Sequence, residues 1–118
     1  MLFRSGGSVA TTSTGDVTLI SSAASAIYVF AFDIGAQSTA NVTVRLVSGS
    51  TTAECWRTVL GAVSTSAIGA GEVETARLSV TPPAYLFRTK AGDPLTYDKG
   101  ASSVANALTH YSFAFWRQ

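Results

Sequence analysis

Two segments of this chain are apolar at both odd and even positions. They are residues 27–32, Ile-Tyr-Val-Phe-Ala-Phe, and residues 111–116, Tyr-Ser-Phe-Ala-Phe-Trp. A strand in a sheet with one wet face alternates apolar and polar side chains, because successive side chains point to opposite faces. Both faces of these two strands must therefore be covered. A small domain covers one face with its own second sheet, so we expect a neighbouring subunit to cover the other.

The remaining pattern predicts an all-β domain. Short apolar or alternating runs are separated by turns of Gly, Pro and Ser, and no segment keeps a helical period. The predicted strands lie at 17–20, 26–34, 41–47, 53–60, 72–80, 84–89, 95–99 and 105–117. We expect an antiparallel sandwich of eight or nine strands with a jelly-roll-like topology.

The first fifteen residues differ from the rest. Residues 1–15 are rich in Gly, Ser and Thr and show no period. Such a segment stays mobile unless it docks on a neighbour, so we expect an N-terminal arm that is either flexible or docked on a lattice. Residues 16–118 are expected to form a single β-sandwich domain, which is large enough to bury one core.

Composition narrows the classes of function. Charged residues make up 13% of the chain, and Ser and Thr, fifteen of each, supply the polar surface. The formal net charge of +1 creates no strong field, so neither nucleic acid nor a membrane is an expected partner. The N-terminus lacks the apolar core of a secretory signal, and no run suits a membrane span, which predicts synthesis in a cytoplasm.

No pattern of catalytic or metal-binding residues is evident, so we expect no enzyme, no metal and no cofactor. His110 is the only histidine, and a multi-histidine metal centre needs several. No Gly-x-Ser-x-Gly elbow is present for a serine nucleophile. Cys55 is predicted to be a buried small side chain. Asp33 ends an apolar strand, where a carboxylate most often bonds to the backbone of the next turn; pairing with an arginine and binding a cation are the alternatives.

The candidate interface residues come from the doubly apolar strands, the tryptophans and the arginines. Arginine outnumbers lysine six to two, which favours bidentate pairs between subunits. Aromatic side chains suit subunit interfaces, and the alternative is a platform on which sugars stack. The candidate set is Ile27, Val29, Trp56, Arg57, Trp116 and Arg117.

Six segments, taken in order, carry a resemblance to a known family. They are residues 15–20, 26–34, 41–49, 69–71, 85–95 (with a Thr-x-Ala-Gly-acid-x-Leu turn) and 110–113. This order of strands and turns resembles the small jelly-roll or β-sandwich virion proteins of tailed bacteriophages, which include capsid decoration (cement) proteins and related auxiliary proteins.

The resemblance implies a virion structural protein without catalytic residues. The function it implies is that of a homotrimeric decoration protein, which binds the major capsid protein on the capsid exterior and links neighbouring capsomers. The family also occurs in tails and fibres. The alternative is therefore a tail- or fibre-associated domain that binds host-surface glycans through exposed aromatics such as Trp56 and Tyr97. Both imply a protein made in the host cytoplasm and located in the virion.

Overall fold

The protein is an antiparallel β-sandwich. The computed structural model describes residues 2–9, 16–37, 40–49, 53–61, 74–98 and 108–118. Their strands are β1 (Leu2–Val9), β2 (Val17–Ile20), β3 (Ile27–Gln37), β4 (Val42–Ser48), β5 (Glu54–Leu60), β6 (Glu74–Ser79), β7 (Phe87–Arg88), β8 (Leu95–Tyr97) and β9 (Leu108–Arg117). The predicted fold class, all-β with eight or nine strands, is confirmed. These residues contain no helix that is long and apolar enough to cross a membrane.

The strands form two sheets. The larger sheet has the order β1-β9-β3-β6, with β7 also paired to β3, and the smaller sheet has the order β2-β8-β4-β5. All pairs are antiparallel. The last strand thus lies between the first and the third, so the chain crosses between sheets rather than running as a meander.

The core lies between the two sheets and is built mainly from alternate positions of the longer strands, with a shift in β3 between Val29 and Ala31. On β3 and β9 the inward positions are Ile27, Val29, Phe32, Phe113 and Phe115, all no more than 5% exposed. The smaller sheet contributes mainly aliphatic residues, which pack against these rings. Burying one such side chain stabilises the fold by roughly 1.5–3 kcal/mol, so the two long strands anchor the sandwich.

Part of the predicted arm is a strand of the larger sheet. β1 pairs with β9 in an unbroken register, from Leu2 opposite Trp116 to Val9 opposite Thr109. Residues 10–15 lie outside the described residues. The division into an arm and a sandwich therefore stays a prediction, while in this protomer residues 2–9 extend the sheet.

The strand predicted at 84–89 is shorter in the structure, and the predicted break at Pro82 and Pro83 lies before it. Only Phe87 and Arg88 form ladder pairs with β3. Pro82 and Pro83 have no N–H to donate, so the chain before Phe87 turns instead of pairing. The predicted loop at 61–71, with its Gly69-Ala70-Gly71 motif, lies outside the described residues except for Gly61.

Candidate interaction surface

The outer face of the larger sheet carries aromatic side chains. On β3 and β9, Tyr28 and Trp116 lie directly opposite each other and point away from the core. A register shift between Val29 and Ala31 brings the Phe30 ring to 5.9 Å from Trp116. The second apolar period of the two segments is therefore an outer surface of the protomer.

These rings form one cluster, which we call the outer aromatic cluster: Tyr28, Phe30, Tyr85 and Trp116. The Tyr28 and Trp116 rings stack with centroids 5.3 Å apart and an interplanar angle of 6°. Tyr85 meets Tyr28 edge-on at 5.0 Å and is 47% exposed. Stacked and edge-on pairs contribute about 0.5–1.5 kcal/mol beyond area burial, so the cluster is ordered without a partner.

Polar side chains border the outer aromatic cluster and form hydrogen bonds with two of its rings. Arg88 donates from Nη1 to the Tyr28 hydroxyl at 3.1 Å, and its guanidinium lies 5.8 Å from the ring centroid. The hydrogen bond to Tyr28 raises the pKa of Arg88 above its ordinary value. The Trp116 indole N–H donates to the Gln118 side-chain oxygen at 3.3 Å. The rim is thus cationic on one side and neutral on the other.

Beyond the cluster, the same face carries a shallow groove of about 200 Å³. Small residues line part of it, namely Ala31, Ala114, Ser79 and Ser112, and the rest is lined by Arg4, Phe32, Leu78 and the Asp33–Arg77 ion pair. Small side chains on a sheet face allow another layer to approach closely. The surface therefore combines aromatic rings at one end with a groove of small and charged residues beside them.

Asp33 lies on this face and corrects the sequence-based interpretation. It is inside β3, opposite Arg77 of β6, and its Oδ2 accepts from Arg77 Nη2 at 2.7 Å and Nε at 3.2 Å. The strand continues to Gln37, so no turn backbone is at hand for the carboxylate. Pairing with an arginine, the alternative interpretation, is what the structure shows.

Two of the six candidate interface residues are in the core. Ile27 and Val29 are 0% exposed, because the inner period of β3 packs against the smaller sheet. A side chain without exposed surface cannot contact a neighbour, so their placement on an interface is corrected. Trp116 does lie on the outer face, and its role in an interface remains a prediction.

The other three candidates lie apart from that face. Trp56 is half-buried and meets the core ring of Phe32 edge-on at 4.7 Å. Arg57 is exposed on the smaller sheet and pairs with Glu54. Arg117 donates to the Ser21 carbonyl oxygen at 2.9 Å. Their roles in an interface stay predictions, but the structure does not bring them together with Trp116.

The candidate interface set from the sequence leaves out Tyr28, Phe30 and Tyr85. The signal was present, because Tyr28 and Phe30 alternate with the core residues Ile27 and Val29 in the same segment. Periodicity says that the two sets face opposite ways, but it does not say which set faces the second sheet. The candidate interface set therefore took its β3 residues, Ile27 and Val29, from the face that packs against the smaller sheet.

The aromatic pair predicted for glycan binding is not a platform. Tyr97 is 0% exposed, since β8 lies inside the smaller sheet and directs this ring into the core. Trp56 packs against Phe32 rather than presenting a free face. The prediction that these two rings stack on sugars is therefore corrected for Tyr97 and has no support from Trp56.

The smaller sheet carries a network of charges on its outer face. Arg45 donates from Nη1 to Asp98 Oδ2 at 2.7 Å, with both side chains largely buried. Glu54 lies 3.5 Å from Arg45 Nε. Burial and the neighbouring Asp98 raise the pKa of Asp16. These contacts join β2, β4, β5 and the end of β8 within one protomer.

Cys55 and His110 lie in different surroundings within the described part of the chain. Cys55 is half-buried and donates to the Arg88 carbonyl oxygen at 3.5 Å, and burial, with the charges of Asp93 and Glu54, raises its pKa to about 11. A thiol is the unreactive form. His110 packs over Gly35, where a Cβ would lie 2.5 Å from its Cε1 atom. Among the described residues, no three His, Cys, Asp or Glu side chains are grouped to hold a metal.

Comparisons with known proteins bear on the fold. No protein-family model matches the chain, and no curated protein is similar to it in sequence. Among solved structures, the chain is similar to one in the capsid asymmetric unit of cyanophage Pam1, with a TM-score of 0.52 and 14% identity over 97% of this chain and 83% of that one. It is also similar to one in the acid-stable capsid of Helicobacter pylori bacteriophage KHP30, with a TM-score of 0.56 and 8% identity over 97% and 86%. At these identities the likeness is one of fold, the β-sandwich found in these phage capsid chains.

Proposed function

We propose that this protein is a structural component of a bacteriophage virion, an oligomeric decoration (cement) protein that binds the capsid exterior. Its partners are the major capsid protein and further copies of itself, arranged as a homotrimer. It acts through contact surfaces rather than through catalysis. It is made in the host cytoplasm and stays in the virion.

The observation that supports this function most is the outer aromatic cluster. Four rings lie on the outer face of the larger sheet, where Tyr85 is 47% exposed and the other three are partly buried, and Leu2 beside them is 58% exposed. Covering a large apolar side chain is worth roughly 1.5–3 kcal/mol, although association costs consume part of that gain. Repeated over many copies on one lattice, modest contacts add up to firm attachment.

The fold of the two phage capsid chains supports the same function. Each match covers more than four fifths of the other chain and nearly all of this one, so the capsid chains are close to this one in size. A small β-sandwich of this size is suited to sit on a shell. The resemblance noted in the sequence points to the exterior of the capsid.

Binding to capsids tests the proposal. Purified protein is mixed with expanded capsids of its phage that were assembled without it, and bound protein is measured after sedimentation. We expect saturable binding by the native chain and about tenfold weaker binding by Trp116→Ala, which corresponds to about 1.4 kcal/mol. Val59→Ala is the matched control, because Val59 is 57% exposed on the other sheet.

The outcomes separate the proposal from its alternative. If folded native protein does not sediment with capsids, or if both variants lose binding equally, the decoration function is wrong. A tail- or fibre-associated domain would instead bind glycans on an array and lose that binding with Tyr85→Ala. Tyr85 is the ring of the cluster with the largest exposed fraction, so it is the side chain on which a sugar would stack.

A further inference from the structure

The outer strands of the sandwich are not equally protected. They are β1, β6 and the two-residue β7 in the larger sheet and β2 and β5 in the smaller one. Outer strands expose unpaired N–H and C=O groups, and proteins protect them with short strands, charges or bulges. β2 has four residues and a register shift, β5 carries Glu54 and Arg57 beside a register shift, and β6 carries a glutamate and an arginine within six residues.

β1 is long, carries little charge and has no bulge, so it lacks the protection that the other outer strands have. It is eight residues long, contains no Pro or Lys and only one charged residue, Arg4, and its register with β9 has no shift. No strand of the described ranges lies beyond it. Gly6 has no side chain, so its exposed surface belongs to the backbone. Solvent and another chain can therefore reach the backbone of this edge strand.

The exposed apolar side chains of β1 also lack cover. Leu2 is 58% exposed on the outer face, and Phe3 is 37% exposed although its ring stacks on Phe115 at 5.4 Å. A strand with open backbone and half-covered apolar side chains is a template for a further strand. The composition of β1 is therefore typical of an edge strand that pairs with a strand of another chain.

We propose that β1 pairs with β1 of a second copy of this chain, antiparallel and about a two-fold axis at Ser5. The two larger sheets then become one continuous sheet across the pair. Inner and outer faces must match across the axis, so a residue can only lie opposite one of the same parity. This leaves axes at Arg4, Ser5 or Gly6 as the registers that pair most of the strand.

Of the three registers, the one with its axis at Ser5 places the most compatible side chains opposite each other. An axis at Arg4 places the two Arg4 guanidinium groups opposite each other, which is unfavourable. An axis at Gly6 leaves Leu2 beyond the end of the partner's β1. With the axis at Ser5, Leu2 lies opposite Ser8, Arg4 opposite Gly6, and Phe3 opposite Gly7, where an aromatic ring covers a strand position that has no side chain.

This contact goes beyond the proposed function, because it uses the chain's own backbone and needs no capsid. A two-fold contact joins two copies and leaves the outer aromatic cluster free, so it can link one trimer to the next. Loss of capsid binding would leave the β1 pair intact, and loss of the pair would leave capsid binding by each oligomer. The two proposals can therefore fail separately.

A cysteine scan along β1 tests the pairing. In a Cys55→Ser background, Arg4→Cys, Ser5→Cys and Gly6→Cys are each oxidised mildly and run on a non-reducing gel. Directly opposite residues have Cα atoms about 4.5–5.5 Å apart, within disulfide range, whereas residues displaced by two are beyond about 7 Å and cannot be bridged. We expect about ten times more cross-linked dimer with Ser5→Cys than with the other two.

Sedimentation of the native chain at high concentration completes the test. We expect association that the Cys55→Ser background retains, and reduced association for Gly6→Lys, which sets a cation opposite Arg4 of the second copy, relative to Gly6→Asp. The same two changes at Ser112, one strand further in, are the matched control and should not differ. A chain that stays monomeric, or that cross-links equally at all three positions, overturns the proposal.

Discussion

One threonine shows how the long strand β3 is joined to the rest of the sandwich. Thr89 is 2% exposed; its Oγ1 accepts from the Ile27 N–H at 2.9 Å, and its own N–H donates to the Ile27 carbonyl oxygen at 2.9 Å. Side chain and backbone together therefore satisfy both polar groups of a core residue. A buried N–H without a partner costs about 1–3 kcal/mol.

Replacing that hydroxyl should weaken the fold. Thr89→Val keeps the shape of the side chain and leaves the Ile27 N–H unpaired, so we expect the free energy of unfolding to fall by about 1–3 kcal/mol. Denaturant unfolding measures this change. The same substitution at the exposed Thr18 should cost little, and equal stability of the two variants would contradict the role given to Thr89.

At the level of single elements, β9 divides its side chains between two tasks. Phe113 is 0% exposed and Phe115 is 5% exposed on the inner face, while Ser112, Ala114 and Trp116 alternate with them on the outer face. Substitutions in the two sets should therefore lower the free energy of unfolding by different amounts. The inner set holds the sandwich together, while Ser112 and Trp116 of the outer set keep exposed surface and Ala114 between them is only 3% exposed.

Two alanine substitutions in β9 separate these tasks. Phe113→Ala leaves a cavity in the core, so we expect a loss of about 3–5 kcal/mol in the free energy of unfolding. Trp116→Ala removes a partly buried ring and its stacking on Tyr28, so a loss of about 1 kcal/mol is expected. Denaturant unfolding of both variants checks the order, and a larger loss for Trp116→Ala would place that ring in the core instead.

The same alternation explains what the sequence could and could not predict. The long strands β3, β4 and β9 were identifiable because their apolar runs are continuous or strictly alternating. β1 was missed, since Arg4-Ser5-Gly6-Gly7 has neither pattern and owes its strand conformation to the β9 ladder. The division into inner and outer faces also depends on where the second sheet lies, which explains the error at Ile27 and Val29.

Across the whole molecule, charges are few and the ion pairs found are internal. The formal net charge is +1 and charged residues make up 13% of the chain. Asp33 with Arg77, and Asp98 with Arg45, are pairs within one protomer. With few charges overall, the proposed attachment rests on the apolar area of the outer aromatic cluster, while the groove beside it carries Arg4 and the Asp33–Arg77 pair as well as small residues.

The salt dependence of capsid binding follows from this distribution. The Debye length falls from about 10 Å at 0.1 M to about 3 Å at 1 M salt, so binding through charges would weaken steeply. If the outer aromatic cluster provides the contact, as proposed, the affinity for capsids should change less than about threefold between these two concentrations of sodium chloride. Sodium sulfate should strengthen binding, because excluded salts favour burial of apolar surface. Co-sedimentation at both salt levels measures the effect, with Trp116→Ala as the control that removes apolar area. A tenfold loss at high salt would mean that charged residues, not the aromatic face, carry the attachment.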